Sequence, residues 1–350
     1  MSKSTRFQLT RNQFGIFTVL GMQLLFTTGC GMTPSSSADA GEVKALKQLQ
    51  TEFLQLKFGM FIHFNIETYN NVEWATGNED PSSFNPQGLN CNQWADAAQS
   101  AGMRYAILTT KLLGGFSLWD SAVTEYDIIS SPYKKDIVKQ FVEVFRQRGL
   151  KVGLYFSIWD IHHKMERGRM TPEKVQHIKS QITELLSNYG NIDYLWLDAY
   201  EHIERDDSEY PTVREVPWNE IYTLAKKLQP NCLVMRHPGT QYDTEYSDIQ
   251  IWEGPFHRPV VMGFIERFLK EYPDRPQEIC DTLQGNSWFW KSDLPPEGLK
   301  SVDYVLKALE RCDKTNTNYL LNAAPNRNGT LDENVMQRLK EVGTALRKSR

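Results

Sequence analysis

Two carboxylates in this 350-residue sequence stand directly after short apolar runs. Asp198 closes Tyr194-Leu195-Trp196-Leu197, and Glu253 follows Ile249-Gln250-Ile251-Trp252. Burying such a charge unpaired costs several kcal/mol. The residues therefore belong at the open ends of strands facing a cleft, or they cap a helix or pair with an Arg. Two acids across one cleft suit nucleophilic and general acid/base work. A retaining glycosidase needs its carboxyl groups ~5–5.5 Å apart, an inverting one ~6.5–9.5 Å. The sequence is rich in aromatic residues, with 9 Trp, 15 Tyr and 17 Phe. Besides packing a core, such residues offer flat faces to sugars.

A second group, Asp160, His162 and His163, has metal-ligand chemistry. Adjacent histidines on an extended chain point apart, and no HExxH-like helical pair is present. No glycine-rich phosphate loop follows a strand. The expectation is therefore neither metal nor cofactor. The net charge of -4, without basic runs, argues against a nucleic-acid partner.

The elements that must position these groups follow from the apolar runs. Strands are expected at 58–64, 105–111, 151–159, 194–197, 232–236, 249–252, 278–283 and 318–322. Helical patterns lie between them at 91–102, 135–148, 172–189, 218–228, 264–272, 301–312 and 333–346. Continuous apolar strands suit a parallel sheet covered on both faces. Eight strand–helix units over about 300 residues give an α/β fold, a (β/α)8 TIM-type barrel, as a single catalytic domain over residues 45–350 with no room for a C-terminal β-sandwich.

The N-terminal segment is of another kind. Arg6 and Arg11 precede the apolar stretch GIFTVLGMQLLFTTG, which leads to Cys30. A basic start and a short apolar core read as an export signal, and TTGC is similar to the lipobox of bacterial lipoproteins. Residues 1–30 are the expected signal segment, with Cys30 the lipidated residue. Residues 31–44, including SSSADA, form a flexible tether. An exported protein held to a membrane only by its lipid, in the periplasm or at the cell surface, is the expectation. The other cysteines, Cys91, Cys232, Cys280 and Cys312, show no zinc spacing and read as buried thiols.

Active sites of such barrels lie at the C-terminal strand ends. Those ends carry His63, Lys111, Trp159, Asp160, Asp198, Arg236, His237, Trp252, Glu253 and Asn322, with Glu278 and Asp281 on strand seven. Polar groups recur at one end of nearly every strand, a bias that packing alone does not produce.

With these residues in view, the chain resembles the glycoside hydrolase family 29 α-L-fucosidases from about Leu54 to Leu346. FGMFIHF, QWADAAQSAGMRYAILTTK, YDIISSPYKK, GLKVGLYFSIWD and NYLLNAAPNRNGTL are each similar to family segments. EWATGNEDPSSFNP looks like the loop of the branch selective for α-1,3/4-linked fucose. The resemblance implies a retaining exo-α-L-fucosidase acting on fucosylated glycans. Asp198 matches the nucleophile. SDIQIWEGP resembles the acid/base segment, which puts that role on Glu253, with Glu278 in QEICDTL as second candidate. His63 and Trp74 match sugar-contacting positions, and Lys111, Trp159, Arg236 and Trp252 complete the expected substrate-binding set. One departure stands out. KLLGGF, from Lys111 to Phe116, replaces the family's KHHDGF, so Leu112 and Leu113 stand where two His usually bond the sugar. That leaves open a related sugar such as an α-L-galactoside, or a weakly catalytic glycan-binding lipoprotein.

Overall fold

The computed structural model describes residues 42–165, 170–199, 216–237, 245–255, 258–293, 295 and 298–348. The chain divides into residues 1–42 and residues 43–350. The expected signal segment, the lipobox Cys30 and nearly all of the tether lie outside the described residues.

Eight parallel strands close in sequence order into one barrel. They are β1 (Phe58–Ile62), β2 (Tyr105–Lys111), β3 (Lys151–Ser157), β4 (Tyr194–Asp198), β5 (Leu233–His237), β6 (Ile249–Glu253), β7 (Gln277–Thr282) and β8 (Thr317–Asn322). Among the described residues the α-helices are α1 (Leu46–Leu54), α2 (Ile66–Asn70), α3 (Cys91–Ala101), α4 (Ile137–Gln147), α5 (Pro172–Ser187), α6 (Trp218–Leu228), α7 (Pro259–Glu271), α8 (Val302–Asp313) and α9 (Glu333–Lys348). The (β/α)8 barrel expected from the sequence is the fold.

Local chemistry fixes several helix starts. Asp136, Thr171 and Ser301 each accept a backbone N–H of the first turn through the side chain, at α4, α5 and α8, satisfying a donor that the helix cannot. Pro259 begins α7 five residues before the expected Phe264, a position where its missing N–H is harmless. Neither α1 nor the short α2 was expected from the sequence, because neither carries a long apolar stripe.

Side chains alternate between two cores, as the strand period requires. One core lies between barrel and helices and includes Phe156, Leu197, Val234 and the helical Phe141, Ile182 and Ile221. The other fills the barrel with Phe61, Tyr105, Ile107, Tyr155, Tyr194, Trp196, Met235, Ile251 and Leu320. Gly59 is forced here, since a Cβ on it would lie 2.4 Å from the Tyr105 ring. The unexpected α1 stoppers the N-terminal end of the barrel. Its Phe53 packs edge-on against Tyr105 and Tyr194 at 5.7 and 5.4 Å. Cys91, Cys232, Cys280 and Cys312 are buried free thiols.

Candidate active site

Which face a strand residue presents decides whether it reaches the mouth of the barrel. On β4, Tyr194 and Trp196 are interior, so Asp198 is too. On β5, Leu233 and Met235 are interior, which turns His237 inward and Arg236 outward. On β6, Ile249 and Ile251 bring Glu253 in and send Trp252 out.

The inward residues meet. Tyr155 donates its hydroxyl to Asp198 Oδ2 at 2.5 Å. The His237 imidazole stands between the acids, with Nδ1 3.8 Å from Asp198 Oδ1 and Nε2 3.7 Å from Glu253 Oε2. One imidazole thus brings two carboxylates together at the mouth, the kind of pair that two-carboxylate glycosidases use. Both remain reachable, with side chains 24% and 37% exposed. Burial, reinforced by the Asp198 charge, holds the Tyr155 phenol far above its ordinary pKa, so it stays a neutral donor.

Beneath this layer Trp196 lies stacked between Tyr155, at 5.1 Å, and His237, at 5.6 Å. Its indole N–H donates to Glu278 at 3.0 Å, and Tyr105 donates its hydroxyl to the same carboxyl at 2.6 Å. Glu278 pairs in register with Ile251, two residues before Glu253, and is wholly buried. Desolvation pushes its carboxyl up to about 7. Of the two acid/base candidates, Glu253 is the one at the mouth. Glu278 lies deeper and orients the Trp196 ring.

The β1, β7 and β8 side is neutral and aromatic. His63 Nδ1 lies 2.8 Å from Asn322 Oδ1, and its ring rests on Phe61, Trp288 and Phe289 at 4.4, 4.9 and 5.5 Å. Burial lowers the His63 pKa to about 3, so the ring is uncharged. Trp74, on the loop after α2, is 58% exposed. Its neighbour Glu73 ties that loop across to the one after β7. It accepts from the Ser287 hydroxyl and, at 3.0 Å, from the Trp288 N–H, and it pairs with Lys291 at 3.3 Å.

Four of the expected sugar contacts turn the bulk of their side chains toward the helical shell. Arg236 is buried on the helix side, its guanidinium 4.4 Å from the Trp218 ring. Trp252 packs against Phe264 and Phe268 of α7 and donates to Gln277 at 2.7 Å, and it lines a cavity of about 340 Å³ together with His237, Glu253 and Trp288. Trp159 belongs to the outer core, past a β3 that ends at Ser157 rather than at Trp159. Lys111 is turned outward by a bulge. Thr109 pairs with Tyr155 and Lys111 with Phe156, so one extra residue flips the alternation. Its ammonium lies 4.4 Å over the Phe156 ring and 3.3 Å from Asp160 Oδ2, fully buried.

The same bulge separates the two leucines. Leu112 enters the barrel-interior cluster beside Phe61, Tyr155 and Phe289, while Leu113 packs on the outer core. Only one of the two therefore faces the mouth. Gly114 leaves no room for a carboxylate of its own, since a Cβ there would meet Ala75 at 2.6 Å. Tyr155 and Trp288 were missed from sequence, and His237 and Asn322 were seen only as strand-end residues. Strand alternation from Met235 and Leu320 was the signal that finds the last two.

Comparison with known proteins bears on the family and the fold. The family model described as Alpha-L-fucosidase matches residues 32–349. Alpha-L-fucosidase 1 of Arabidopsis thaliana is 31% identical over 297 residues, 81% of this chain and 56% of that protein. The chain thus spans little more than half the length of that plant relative. The structure of alpha-L-fucosidase isoenzyme 1 from Paenibacillus thiaminolyticus superimposes with a TM-score of 0.72 at 27% identity, covering 87% of this chain and 76% of that one. The Lactobacillus casei enzyme in complex with α-L-fucose shares the fold, with a TM-score of 0.67 at 20% identity over 86% of this chain and 99% of that one. A barrel with two carboxylates around one imidazole at its mouth, matched over nearly all its length, makes this chain a member of the α-L-fucosidase family of glycoside hydrolases, family 29.

Proposed function

We propose that the chain is an exo-acting retaining α-L-fucosidase that hydrolyses terminal α-L-fucosyl linkages of glycans. The observation that carries this reading is the arrangement of Asp198 and Glu253 on the two nitrogens of His237. Tyr155 donates to Asp198 and orients its carboxylate, which attacks the anomeric carbon. Glu253 protonates the departing oxygen and then, as carboxylate, takes a proton from the water that releases the sugar. His63, neutral and fixed by Asn322, offers a ring nitrogen to a hydroxyl. Trp288 and Phe289 offer apolar faces to the ring, and Trp74 lies at the rim. The α-1,3/1,4 linkage preference rests on the resemblance of the loop from Glu73 to Pro86.

The same reading includes export as a lipoprotein with the lipid on Cys30 and the barrel displayed in the periplasm or at the cell surface. Among the described residues no helix is long and apolar enough to cross a membrane. Labelling with a radioactive fatty acid, lost in Cys30→Ala, is the expected result.

Leu112 favours a second reading, in which the sugar differs from fucose where it meets β2. A site that bonds a hydroxyl discriminates strongly, whereas an apolar wall does so weakly. The decisive experiment is hydrolysis of an aryl α-L-fucoside, an aryl α-L-galactoside and fucosylated oligosaccharides, with the first-formed anomer followed by NMR. Release of α-L-fucose with retention is expected. Inversion ends the covalent mechanism, faster turnover of the galactoside favours the second sugar, and binding without any release leaves a glycan-binding protein.

A further inference from the structure

Behind the sugar pocket, the chain gathers a set of side chains that the proposed hydrolysis does not use. Asp160 follows β3, and the loop folds back so that Asp160 and Met165 exchange backbone hydrogen bonds. The adjacent histidine rings meet edge-on at 4.9 Å in that turn but bond to different partners. His162 stacks on Tyr126 at 4.1 Å and places Nδ1 2.7 Å from the Gly77 carbonyl. His163 instead meets Asp160 and His177. Its Nδ1 lies 3.0 Å from Asp160 Oδ1, and its ring sits 4.5 Å from that of His177, one and a half turns into α5.

From this geometry we propose a divalent transition-metal site, best suited to zinc, held by Asp160, His163 and His177. One donor atom from each lies within 4.8 Å of the other two. Zinc bonds of about 2.0–2.2 Å place tetrahedral donors roughly 3.3 Å apart, so movements on the order of 1 Å in side chains suffice. Two imidazoles and one carboxylate are a zinc donor set, too nitrogen-rich for magnesium or calcium. His177 Nε2 is buried without a hydrogen-bond partner, a position whose lone pair or proton has a cost that a metal would remove. His163 also lines an open groove with His162, Glu79, Asp80, Asp120 and Glu125, an acidic approach for a cation.

One charge opposes the site. Lys111 holds the other oxygen of Asp160 at 3.3 Å, and its ammonium repels a second cation. The expected affinity is therefore micromolar, not the nanomolar range of a closed structural site. The fourth position is left to water. Bound metal would clamp the loop after β3 to α5, so its effect is on stability and on that loop, independent of whether the pocket cleaves fucosides.

The test uses the full chain stripped with a chelator, then titrated with zinc chloride by calorimetry and with cobalt chloride by visible absorption. One equivalent of zinc with micromolar affinity is expected, together with a tetrahedral-type cobalt spectrum and a melting temperature that rises with zinc. His177→Ala and His163→Ala each weaken binding about tenfold or more, whereas His162→Ala leaves it unchanged. No stoichiometric uptake by the wild-type chain overturns the proposal. So does equal binding by the His177 and His163 variants, or a loss in His162→Ala as large as theirs. The wild-type titration decides even where a variant fails to fold.

Discussion

The arc from β4 to β6 and the sector from β2 to β3 bring similar residue types to the same end of one barrel, and use them differently. In the arc the side chains alternate without interruption, so Asp198, His237 and Glu253 arrive together at the mouth. In the sector one extra residue at Thr110 shifts the alternation. Lys111 and Asp160 are withdrawn into the wall as a buried pair, and Leu112 takes the inward place. A polar residue at a strand end is therefore not yet a site residue. Its face decides, and a bulge resets that face.

The sharpest way to break this contrast is Asp198→Asn. It preserves the acceptor for Tyr155 but removes the proposed nucleophile. Turnover of an aryl α-L-fucoside should fall by about 10³-fold or more at little change in melting temperature. An unaltered rate would take the arc out of the chemistry.

Lys111→Met tests the sector in the opposite sense. It strands a buried carboxylate and should lower unfolding free energy by about 3–5 kcal/mol in denaturant titration, with KM nearly constant. A large rise in KM at full stability would mean that Lys111 reaches the sugar after all.

Two buried acids set a pH dependence. Desolvation raises Glu67 to about 8 and Glu278 to about 7 from ordinary values of 4.5. In the unfolded chain both ionise near 4.5, while the folded protein keeps their protons. The native state thus binds more protons between pH 4.5 and 7–8, and stability must fall as pH rises through that window. Glu67→Gln should flatten the upper part of that decline, measured as melting temperature from pH 5 to 9. An unchanged decline in the variant would show that Glu67 is ionised in the fold.

The smallest effect expected is also the most specific. Leu112→His places an imidazole at the mouth and should raise kcat/KM for the fucoside roughly tenfold, the worth of one or two hydrogen bonds. Leu113→His points into the outer core and should only destabilise. Equal gains from both would erase the distinction that the bulge makes between them.

The barrel was legible because each strand is a run of apolar residues bounded by polar turns. Asp198 and Glu253 were legible as charges set after such runs. The faces of Arg236, Trp252 and Lys111 do not follow from strand-end position; alternation sets the first two, and for Lys111 the bulge reverses what alternation implies. His177 was invisible for another reason. It lies in the polar first half of a helix, and nothing short-range announces that a loop will return to it. Trp288 was hidden similarly, since its place over His63 depends on the Glu73 tie between distant loops.

That tie has a consequence for affinity. Glu73 fastens the loop carrying Trp74 to the one carrying Trp288 before any sugar arrives. The entropy of ordering two long loops is then spent during folding, not during capture. A ligand meets a collar already set to its shape, and a rapid, nearly rigid encounter is what such a rim provides.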